Sequence, residues 1–276
     1  MAKRDSYFDV LTLAINEFAE HGYDSAERAA YWTRLLKDAA EASMASTAQM
    51  EQMLRDALAS VYRRMIDKGQ IAQYHQGIAR FTIEKVRPQL RAELDRRIMA
   101  AASLIRLNRE QAMQTTLRRF QGWATSIPKG GSEAVDKREE KAHIRKALVS
   151  LPFAERRVAI DQGHKLVASL SEILAKDGGA LALIWRSHWR QPGYNFREDH
   201  KERDGHVYTM RGNWALDKGL MKSGPDGYYD EITSVGEEPF CRCYATWLYS
   251  LGKLPKDMLT RKGDEELARV RALIAA

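Results

Sequence analysis

"ALALIWRSHW", residues 180–189, follows the glycine pair Gly178 and Gly179 and has the apolar and aromatic content of a β-strand. Beyond it, from Gln191 to Pro239, Gly, Pro, Asn and Asp become frequent. Trp185, Trp189, Trp214 and Trp247, four of the chain's six tryptophans, lie after residue 180. This texture predicts a compact unit of short strands and long ordered loops, closed by a helix over about 255–275. What precedes it reads as helices joined by turns and one linker. The expected fold class is α+β, with a helical N-terminal half followed by a small α+β C-terminal domain.

The helical half is well punctuated. In "EHGYDSAERAAYW", residues 20–32, Gly22 stops one helix and Asp24 with Glu27 is spaced as a capping box for the next. Met53, Leu54, Ala57, Leu58, Val61 and Met65 share one helix face that closes near Gly69. A long helix is expected over 86–121. "TSIPKGGSEAVDKREEK", residues 125–141, collects Pro, Gly, Ser and charge and is the best linker in the chain. A charged helix over about 132–149 and an amphipathic one over about 153–176 follow. The expected domains are 1–125, an arginine-rich helical arm or bundle; 126–137, a linker; and 138–276, the α+β domain with its terminal helix.

The chain has 276 residues, with 44 Lys and Arg against 37 Asp and Glu, a formal charge of +7 that points toward polyanions. Arg87, Arg91, Arg96, Arg97, Arg106, Arg109, Arg118 and Arg119 concentrate it on the long helix and are candidate DNA-phosphate contacts. A merely solvated face is the alternative. No apolar run approaches the roughly 20 residues of a membrane span, and no apolar segment follows the basic start "MAKRDSYFDV". A soluble protein made in a cytoplasm is expected.

The two cysteines, Cys241 and Cys243, are separated only by Arg242. In a reducing compartment a disulfide across so small a ring is the least favoured use, which leaves a metal or plain packing beside Phe240, Tyr244 and Trp247. His188, His200 and His206 are the nearby imidazoles. Two thiolates and two imidazoles suit tetrahedral zinc, so His188, His200, His206, Cys241 and Cys243 are candidate ligands, against the awkwardness of a one-residue gap. The loop "EDHKERDGHVYTMRGNW", residues 198–214, also permits a metal-dependent nuclease working through His200 and His206, although "WALDKGL" after it supplies no further histidine. No Gly-x-Ser-x-Gly elbow and no phosphate-cradling glycine loop occur.

The order of residues carries more than their chemistry. A strand with Trp185, then Arg197 with His200 three residues on, then Asp204-Gly205, a Gly/Pro loop, and an acidic stretch into Cys241-Arg242-Cys243 resembles the C-terminal domain of phage minor head proteins, the Mu F-like head morphogenesis family. The resemblance covers roughly residues 150–250. Arg203 stands where that family has leucine, Asn195 where an acid often precedes the arginine, and Phe240 where asparagine or proline is common. The resemblance implies a structural, non-enzymatic protein of the virion. It would sit inside the capsid near the portal, with portal and head proteins and packaged DNA as partners, and be assembled in the host cytoplasm. The cysteines would then close the domain: a strand returns them to the His200 loop on one side, with Arg242 on the other, free for a carboxylate such as Asp204 or for a partner.

Overall fold

In the computed structural model, residues 6–44, 46–67 and 83–275 are described. Two compact units form. Unit 1 comprises residues 1–55 and 99–159; unit 2 comprises 56–98 and 160–276.

Unit 1 is helical. Helix α1, Tyr7–His21, starts at Ser6, which exchanges capping bonds with Asp9, and ends at Gly22, whose left-handed φ of 69° lets its N–H reach Phe18 O. Helix α2 spans Ala26–Ser43 and is capped by Ser25, which accepts from the Arg28 N–H. Asp24 is not the cap as expected from its spacing. It pairs with Arg28 at 3.1 Å instead. Leu11, Ile15 and Phe18 of α1 and Leu36 of α2 are fully buried, packed with Phe120 and Ile144. The Phe18 and Phe120 rings meet edge to face, centroids 5.7 Å apart.

Three further helices contribute to both units: α3, Thr47–Asp67; α4, Ile83–Ser126; and α5, Lys137–Asp177. The expected helix over 86–121 is thus part of a longer one. The two helices expected on either side of residue 150 are a single helix, running through Pro152. Proline removes one helical N–H bond, but Ile144, Leu151 and Val158 on both sides are buried, and that packing keeps the helix whole.

The segment expected to be a linker belongs inside unit 1. Tyr23 N–H donates to Ile127 O, Gly130 N–H to His21 O and Ser132 N–H to Ala19 O, at 2.8–3.1 Å. A side chain at Gly131 (φ 84°) would sit 2.3 Å from Glu20 O. The compact units therefore do not follow a cut at 126–137. A chain beginning at residue 138 would also lack Leu58, Tyr62, Val86, Leu90 and Leu94, which form one core with Leu166, Leu170 and Leu174 of α5 in unit 2.

The rest of unit 2 is the expected α+β part. Strand β1, Ala182–Arg186, is central in an antiparallel sheet between β2, Val207–Thr209, and β3, Tyr244–Leu248. Alternation along β1 sends Leu183 and Trp185 to one face, with Tyr208, Tyr229, Cys241 and Cys243. Ala182 and Ile184 face the other side, with Leu220, Met221, Leu248 and Met258. Two short helices sit in the loops: α6, Glu198–Glu202, and α7, Trp214–Asp217. The closing helix α8, Arg261–Ala275, begins later than expected, because 251–253 and 256–258 are single tight turns that bury Leu251 and Met258. Among the described residues no helix is long and apolar enough to cross a membrane.

Candidate metal centre

The end of β1 is locked by one carboxylate. Asp204 accepts the Ser187 N–H at 2.9 Å and the Trp189 Nε1–H at 3.0 Å. Gly205, at φ 91°, turns the chain so that its N–H donates to Trp185 O at 2.9 Å, and Trp185 N–H donates to His206 O. Burial pushes the Asp204 carboxyl up. The two N–H donors, with Arg190 and Arg186 nearby, overcome that and hold it below the ordinary value.

This lock leaves α6 with His200 turned inward, 2% exposed, its ring edge to face against Trp185 at 5.4 Å. The opposite wall is the turn into β3. Arg197, just before α6, ion-pairs with Glu238 and donates to Pro239 O. Asp161 of α5 accepts the Phe240 N–H at 2.6 Å. Cys241 and Cys243 follow, 1% and 5% exposed, just before β3 rather than within it.

His200 Nδ1 lies 3.6 Å from Cys241 Sγ and 3.5 Å from Cys243 Sγ. Zn–S bonds near 2.3 Å and Zn–N bonds near 2.0–2.1 Å at a tetrahedral angle place sulfur and nitrogen about 3.6 Å apart. The two S···N edges therefore already have the length a shared tetrahedral ion requires. The three donors lie within 4.8 Å of one another. On its far side, His200 Nε2 is buried without a hydrogen-bond partner, the Asp199 and Glu238 carboxylates being 3.8 and 3.9 Å away.

The two thiols form a hydrogen-bonded pair. The Cys243 thiol donates to Cys241, which pulls Cys241 down to about 5 and pushes Cys243 up; the backbone N–H groups of Cys243 and Gly236 and the His200 ring also favour the Cys241 thiolate. The Trp185 and Ser187 side chains act on Cys243 in the lowering direction, and their buried Nε1 and Oγ find no partner of full hydrogen-bond geometry elsewhere. A buried site in which one thiol is biased toward its thiolate and polar groups act on the second sulfur suits a cation.

Protein-family models, curated proteins and solved structures yield no match to this chain.

Of the expected ligands, His200, Cys241 and Cys243 come together and His188 and His206 do not join them. His206 is half exposed and bonds Asp226 through Nδ1 at 2.7 Å. His188 lies against Tyr244 with the rings tilted, centroids 5.5 Å apart. Arg242 does not meet Asp204, whose oxygens are already engaged. The sequence reading missed Asp161, Asp199 and Glu238; the signal for Asp161 is its place on the α5 face with Lys165 and Ala168, an i, i+4, i+7 series.

The arginines of α4 are largely compensated. Arg96 and Arg97 share Glu93 at 2.6 and 2.8 Å, Arg91 faces Asp95 at 3.9 Å, and Arg109 holds Glu155 at 2.5 Å. Arg119 donates to His143 O, and Arg87 is also engaged. Arg106 and Arg118 show no ion pair among the described residues.

Proposed function

We propose that this chain is a structural minor head protein of a tailed phage, resident inside the capsid near the portal, and that its second unit binds zinc through His200, Cys241 and Cys243. One observation carries the reading: the residues of the resemblance, scattered from Trp185 to Cys243, meet in a single buried knot. Trp185 packs on His200, His200 faces both thiols, and Asp204 and Gly205 lock the strand end. His200, Cys241 and Cys243 are each at most 5% exposed, as donors that hold a fold are. Sequence-independent contact with packaged DNA is the accompanying role of the α4 arginines.

The head role is tested by locating the chain in a cryo-EM reconstruction of the particle, where density beside the portal is expected and absence from the purified particle would overturn it. The metal is tested separately by elemental analysis. About one zinc per chain is expected, lost in Cys241→Ser and in Cys243→Ser, with weaker binding as pH falls and the ligands protonate. A folded, zinc-free protein that takes up no added zinc rejects the metal.

His206 supports a second reading, a metal-dependent nuclease, because Asp226 orients an exposed imidazole as a general base requires. Plasmid nicking with magnesium, manganese or zinc, abolished by His206→Ala, would establish it.

A further inference from the structure

Cys241 and Cys243 also line a cavity of about 320 Å³, together with His164 of α5, His188, Gln191 and Arg242. Arg242 sets one fixed positive charge in its wall. Burial, and after it the Arg242 charge, hold His164 below the ordinary histidine range, which leaves its ring as a neutral hydrogen-bond partner. Arg242 makes no ion pair among the described residues. Its backbone N–H is held by the Tyr194 hydroxyl at 3.1 Å, and its guanidinium carbon lies 5.8 Å from the Tyr194 ring centroid. An arginine whose backbone is pinned and whose head group has no carboxylate is a preset anion donor.

The acids nearby are already used. Asp161, the carboxylate that acts on His164, is taken by Lys165 at 3.4 Å and by the Phe240 N–H. The floor differs in character, with Val167 and Trp247 giving apolar and aromatic surface.

We infer that this cavity binds a small phosphate-bearing molecule, its phosphate held by Arg242 with His164, His188 and Gln191 and its planar or apolar body against Trp247. Five guanidinium N–H donors match phosphate oxygens, and imidazole and amide donors complete the shell. The site goes beyond the head-protein reading and is independent of it.

The experiment titrates the full-length protein, as purified, with inorganic phosphate, deoxyadenosine monophosphate and a short single-stranded oligonucleotide, read by calorimetry. Phosphate and the mononucleotide should compete for one saturable site. Arg242→Gln should weaken both by about tenfold, the effect of removing one charged hydrogen-bond donor. Arg242 is exposed, so the variant's unchanged melting temperature reports an intact fold, and His164→Gln should weaken binding as well. Tighter binding of the mononucleotide than of the oligonucleotide per phosphate assigns the source to a free small molecule; the reverse assigns it to a nucleic-acid end, and either supports the site. Absence of saturable phosphate and mononucleotide binding, or equal affinity in Arg242→Gln, overturns it.

Discussion

The Trp185 indole and the His200 imidazole meet edge to face at 5.4 Å, both nearly inaccessible, so the central strand and the loop helix share one contact. Removing the imidazole leaves a void beside Trp185 and takes away the group facing both thiols. His200→Ala should destabilise the protein by about 2–4 kcal/mol in urea denaturation, in the range of large-to-small core substitutions. A loss under about 0.5 kcal/mol would show that the knot does not hold the sheet.

Asp204 makes the protein acid-sensitive. Its folded carboxyl titrates below the unfolded one, so its contribution is present above the ordinary aspartate range near 3.9 and is lost as pH falls through the lower folded value. Asp204→Asn should remove that contribution at pH 7 and flatten the stability profile below about pH 4. Denaturant melts of both proteins between pH 2.5 and pH 7, values chosen to bracket that range, compare the slopes; parallel profiles would exclude the carboxyl as their cause.

Phe240 is the one non-glycine described residue in the left-handed region, at φ 60°. Asparagine adopts that conformation at lower cost, and the half-exposed phenyl ring contributes little burial. Phe240→Asn should stabilise the protein by about 0.5–1 kcal/mol. A lower melting temperature for the variant would mean the ring's contacts outweigh the backbone strain.

Residues 126–132 are pinned rather than loose, which sets their response to proteases. Lys129 should resist trypsin under native conditions, and Gly131→Ala, which drives a methyl into Glu20 O, should cost about 1–3 kcal/mol and expose the bond. Rapid first cleavage at Lys129 in the unaltered protein would contradict this.

Pairing on α4 ranks the arginines. If the helix contacts DNA phosphates, replacing Arg106 and Arg118 with Gln should reduce the log–log salt slope by nearly one for each phosphate that is no longer neutralised. Replacing Arg96 and Arg97 should change it less, because both already pair with Glu93. Unchanged affinity in both double variants would return the face to plain solvation.

Local signals were readable where one short stretch decides the outcome. The composition of 180–189 located β1, Gly22 marked a helix end, and the pattern from Met53 to Met65 marked α3. The convergence of His200 with the cysteine pair was legible as chemistry, though not the exclusion of His188 and His206, which depends on where Asp226 and Tyr244 lie. Pro152 and the glycines at 130–131 misled because each carries a local penalty that distant partners offset: Ile144, Leu151 and Val158 in one case, Ala19 and His21 in the other. The pairing of Arg109 with Glu155 was equally invisible, since it joins positions far apart in the chain.

The interleaving of the two units has a consequence for synthesis. Residues 1–55 cannot complete their core until 99–159 have emerged from the ribosome, and 56–98 must wait for the part of α5 beyond residue 160. Vectorial synthesis therefore gives no stage at which one unit is finished while the other is still absent. Leu58, Val86 and Leu90 remain without Leu166 and Leu170 through most of translation, an apolar surface that invites chaperone capture of the nascent chain.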